Sequence, residues 1–135
     1  MTRRRSSPGF FGRFGRSEDL RRLDDALRAA GLHPALVPEG AKLALVNLMK
    51  DRAGGDFPPP EAFPPVAEFF AFCLTGPETF GENNGEALLG DAERRMDAAL
   101  AAGEGPDADI VLLALHAGLA SPTVIDRYNL KAESE

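Results

Sequence analysis

One run of residues limits this chain more than any other: Asp109-Ile-Val-Leu-Leu-Ala-Leu-His-Ala-Gly-Leu-Ala120, in which only His116 is strongly polar after Asp109. A helix that is apolar on nearly every side must be enclosed by protein or by lipid. The eleven residues from Ile110 to Ala120, at about 1.5 Å of rise each, fall well short of the roughly 20 that cross a bilayer. Protein is therefore the expected surround, and the remaining segments must supply it.

They read as helices able to do so. Ser17 is a candidate N-cap with Glu18 and Asp19 in the first turn. Leu20, Leu23, Leu27 and Ala30 recur at helical spacing, and Gly31 supplies a C-terminal stop. After the connector His33–Pro38, the residues Ala41, Leu45, Leu48 and Met49 mark the apolar face of a second helix that ends at Gly54-Gly55. Asp56 to Pro60 is a stiff extended crossing, because each proline excludes the α region before it. A third helix starts near Pro60 or Pro65 and runs through Val66–Leu74 to Gly76-Pro77. Its phenylalanines 69, 70 and 72 point to different sides, so it too is expected to be buried. All six phenylalanines beyond residue 16 lie between positions 57 and 80, which places the aromatic core there.

Pro77 to Asn84 has room for one or two helical turns carrying Phe80, and Asn83-Asn84-Gly85 reads as a break. Glu86 to Ala102 is a further helix, with Leu88, Leu89, Ala92, Met96, Ala99 and Leu100 inside and Asp91, Glu93, Arg94 and Arg95 outside. Gly103 to Pro106 turns the chain into the apolar run, and Ser121-Pro122 is the N-cap and first position of a short last helix. No alternation of polar and apolar residues persists long enough for a strand. Arg21–Ala29 and Arg94–Ala102 echo one another, as two related helical hairpins would, although helix-forming composition alone produces such likeness.

The expected fold is therefore all-α: a single compact bundle of five to six helices over 17–130, with Val66–Leu74 and Ile110–Ala120 at its centre. A flexible, disordered basic arm precedes it over 1–16 and a frayed end follows over 131–135. A chain of 135 residues with 44% hydrophobic and 27% charged content has enough apolar material for one such core without staples.

Charge divides the chain sharply. Residues 1–16 carry five arginines and no acid, whereas the remainder holds ten basic and twenty-one acidic groups, a formal −11. The acidic body argues against nucleic acid as its partner. The arm is rich in both arginine and phenylalanine, and its glycines at 9, 12 and 15 disfavour a free helix by about 1 kcal/mol each. Arg3, Arg4, Arg5, Phe10, Phe11, Arg13, Phe14 and Arg16 are thus the candidate partner-binding residues, for an acidic protein surface or an anionic membrane. Arginine on phosphate with phenylalanine stacked on bases is a third, disfavoured use of the arm. Self-association stays open.

Chemistry is signalled weakly. His116 with Phe69 and Cys73 marks a candidate pocket between the two central helices, for a small ligand or an enzymatic role, against the blander reading of a core histidine bonded to backbone. Two histidines and one cysteine without close spacing do not make a zinc site. Glu104, Asp107 and Asp109 could flank a cation but also suit a helix start. The loop Glu82–Glu86 fails the calcium-loop spacing, and no phosphate-cradling glycine motif or nucleophile elbow occurs. No cofactor or metal is expected, and nothing argues for an enzyme. The leading expectation is a non-enzymatic interaction or regulatory module. The lone cysteine and the lack of an apolar leader point to the cytoplasm, with the arm able to hold the protein at the inner face of a membrane.

Overall fold

The computed structural model describes the backbone of residues 8–130 and side chains from Glu18 onward. Seven α-helices and two single 3-10 turns make up the described residues, with no strand among them. In chain order they are α1 (Pro8–Ala29), α2 (Glu39–Arg52), α3 (Phe63–Thr75), α4 (Pro77–Asn84), α5 (Glu86–Ala102), α6 (Pro106–His116) and α7 (Pro122–Tyr128). The all-α class stands, with one or two more helices than the spacing implied. Pro77 in the first turn gives the segment after Gly76 a complete helix of its own.

α3 is the axis of the bundle. Phe63, Ala67, Phe69, Phe70, Ala71, Phe72 and Cys73 are all buried, and α1, α4, α5 and α6 pack around it. The Phe72 ring meets the edges of Phe80 at 5.7 Å and Tyr128 at 6.4 Å, which draws α4 and α7 onto the same centre. α2 lies outside this ring, between α1 and α6. Lys42 of α2 reaches Asp24 of α1 at 3.1 Å, joining the two helices by a half-buried ion pair.

Gly31 ends α1 as its position implied, with φ +87°. The Leu32 amide donates to Leu27 O at 2.9 Å and the Gly31 amide to Arg28 O at 3.0 Å, a Schellman closure with Leu32 buried beneath it. The asparagines that read as a break finish the job. Asn84 Nδ2 donates to Ala30 O at 2.8 Å and Asn83 Nδ2 to Gly31 O at 3.3 Å, so α4 caps α1. A Cβ on Gly31 would lie 2.6 Å from Asn83 Cβ, which leaves glycine as the residue that fits.

Three expectations need correction. α1 begins at Pro8 rather than at Ser17. Extending an existing helix is far easier than nucleating one, and the packed turns at Leu23 and Leu27 provide the nucleus. The apolar run does not form one rod to Ala120. It stops at His116, where Gly118 takes φ +72° and the Leu119 amide returns to Ala114 O at 2.9 Å. Finally, α6 is not enclosed. Ile110, Val111 and Ala114 are buried, but Leu112 is 40% exposed and His116 is exposed.

Candidate functional site

α6 crosses α3 on its inner side and α2 on its flank, and two hollows follow that flank. At the C-terminal end of α2, a crevice of about 160 Å³ opens between α2, α3 and α6. Leu45, Met49, Ala62, Val66 and Ile110 line it. Its rim carries an ion pair, with Arg52 NH2 donating to Asp109 Oδ2 at 2.9 Å. Further along the seam lies a shallower depression shared by Asn47, Leu48 and Asp51 of α2 with Asp109, Leu112, Leu113 and His116 of α6.

The candidate pocket residues do not meet. Phe69 and Cys73 face the interior from α3, whereas His116 stands at the outer end of α6, two positions past the buried Ala114. Two helical steps rotate a side chain by about 200°, which carries it from the inner face to solvent. His116 is therefore a surface histidine in this fold. Burial pushes the Cys73 thiol up to about 12, so it remains protonated at neutral pH and has the character of a core residue rather than a nucleophile. His33 has a local role: its Nδ1 accepts the Ala35 amide at 3.0 Å, capping the 3-10 turn Pro34–Leu36.

The acidic residues at the start of α6 are bound to arginines. Asp107 accepts from Arg95 Nε at 2.9 Å and from Arg95 NH2 at 2.7 Å, and Asp109 takes Arg52. Arg95 also donates to Pro65 O at 3.0 Å and stacks 4.7 Å above the Phe69 ring. It fastens α5 to α3 and α6 at once, whereas the sequence placed it on a solvated face. Leu100, read as an inside residue of the same helix, is 42% exposed. No three metal-ligating side chains converge among the described residues.

Asp19 is the polar group that sequence reasoning missed. It is 3% exposed, and its Oδ2 has no hydrogen-bond partner among the described residues. Desolvation raises its pKa above the ordinary carboxylate value, partly offset by the charges of Lys50 and Arg22. An acidic residue in the first turn after a presumed N-cap reads as a dipole partner; the earlier start of α1 makes it a mid-helix residue instead.

Of the candidate partner-binding residues, Arg3, Arg4 and Arg5 lie outside the described residues. Phe10, Phe11, Arg13, Phe14 and Arg16 fall on the backbone of α1, and their side chains lie outside the described ones. No helix among the described residues is long and apolar enough to cross a membrane. No family model matches this chain, and neither curated proteins nor solved structures provide a match.

Proposed function

We propose that this chain is a non-enzymatic helical interaction module that docks through its Arg/Phe-rich N-terminal segment into an acidic groove on another protein. The observation that carries the reading is the charge boundary at Ser17, with a formal +5 before it and −11 after it. The helical backbone from Pro8 onward lends support, because positions 10 and 14 then lie one turn apart on a helix that continues into the bundle. Arginine beside phenylalanine on such a helix suits helix-in-groove recognition, with apolar anchors and charge-assisted rims.

Co-purification of the full chain beside an R3Q/R4Q/R5Q/R13Q/R16Q variant tests it. The wild type is expected to retain partners that the variant loses, and to release them as salt rises. An unchanged partner list overturns the reading. Capture by anionic vesicles with no protein partner reassigns the segment to a membrane surface.

One observation favours a second reading, a binder of small apolar molecules. The crevice of about 160 Å³ beside Ile110 compares with engineered cavities of about 150 Å³ that admit benzene. Toluene should perturb the NMR signals of Ile110 and Val66 in the wild type and leave them unmoved in Ala62→Phe. Equal response in both proteins removes this reading.

A further inference from the structure

The outer stripe of α6 goes beyond the N-terminal segment, because it is a separate surface. Asp109, Leu112, Leu113 and His116 border one depression on the flank of α6, at successive steps of three, one and three residues. That spacing is symmetric about the midpoint between Leu112 and Leu113: an apolar pair at the centre, an acid three residues before it and an imidazole three residues after it. A second helix of the same sequence laid antiparallel across this midpoint sets each acid opposite an imidazole and leucine against leucine. A parallel helix would set acid against acid.

The flanking helix repeats the polarity. Asp51 of α2 lies in the same depression as Asp109, with Asn47 beside it and no acid among the lining residues one turn further on. One end of the depression is acidic apart from Arg52, which is already joined to Asp109, and the other carries the histidine. Leu112, exposed at 40% at the centre, is where an apolar contact would be made.

We propose that a second copy of this chain covers the outer face of α6, with the two α6 helices crossing antiparallel about a two-fold axis between Leu112 and Leu113. In this isologous contact His116 of each copy donates to Asp109 of the other, and the two Leu112 side chains close the centre.

Sedimentation of the full chain across a dilution series tests this. The wild type is expected to dimerise, with the dissociation constant raised at least tenfold in Leu112→Lys and in His116→Asp. His116→Lys keeps a donor opposite Asp109 and should leave the dimer intact. Both positions are exposed, so circular dichroism should show each variant folded. A Leu112→Cys variant should cross-link rapidly between copies under mild oxidation, whereas Leu100→Cys, on the neighbouring helix, should not. A wild type that is monomeric at every concentration overturns the proposal. So does a dimer indifferent to both Leu112→Lys and His116→Asp, or one cross-linked as readily through position 100.

Discussion

α3 and α6 are the two most apolar helices of this molecule, yet they occupy opposite kinds of site. α3 buries residues on every side, because four helices converge on it and the Phe69, Phe70 and Phe72 rings point in directions that only a full surround can cover. α6 buries Ala108, Ile110, Val111 and Ala114 and leaves Leu112 and His116 to solvent. Apolar composition sets how much surface a helix would remove from water. Which helix takes the central seat depends on volume: five phenylalanines fill the middle of the bundle, and the narrower aliphatic helix is left at its edge.

Substitutions can break this contrast. Phe72→Ala should have the largest effect, because it empties a fully enclosed site: about 3–5 kcal/mol of unfolding free energy, read by urea titration. On the inner face of α6, Ala114→Leu should cost about 1–3 kcal/mol by overpacking a site with no solvent exposure. A smaller and pH-dependent change is expected at Asp19. Its folded-state pKa is raised, so the folded protein binds the proton more tightly and loses stability as pH rises through the carboxylate range. Asp19→Asn should therefore stabilise the protein at pH 7, with the gain shrinking as pH falls through the raised folded-state pKa and gone below the ordinary carboxylate value of about 4. A difference between the two proteins that does not vary with pH would refute this account of Asp19.

The outer face of α6 should be the most forgiving. Leu112→Lys is expected to change monomer stability by no more than about 0.5 kcal/mol, measured at a concentration too low for self-association. A loss approaching that of Ala114→Leu would mean that α6 is enclosed after all. A thiol reagent sharpens the comparison further. Native Cys73 should stay unlabelled until the protein unfolds, while a cysteine placed at 112 should react at once in the monomer.

Much of this was legible in residue spacing, and the exceptions share a cause. Leu23, Leu27, Gly31 and the cap at Ser121, whose Oγ accepts the Thr123 amide at 3.1 Å, follow from local rules and appear where those rules put them. The bare stripe of α6, the bridging of Arg95 and the separation of His116 from Cys73 depend on which helix lies beside which. Periodicity identifies a face without naming its neighbour. Position 95 looks like any charged site on a helix until Asp107 and the Phe69 ring arrive from elsewhere in the chain. The start of α1 escapes local rules for another reason: glycine penalties describe an isolated segment, and this one continues a packed helix.

The bond from Asn84 to Ala30 spans 54 positions, and it imposes an order of events during synthesis. As α1 leaves the ribosome its Schellman turn can close at once, but the Ala30 and Gly31 carbonyls just beyond it face water while α2, α3 and most of α4 are still being made. Those two carbonyls are sealed only once Asn83 and Asn84 have emerged, so in a nascent chain halted before them the turn after α1 should be held by its Schellman bonds alone and open more readily than in the mature protein.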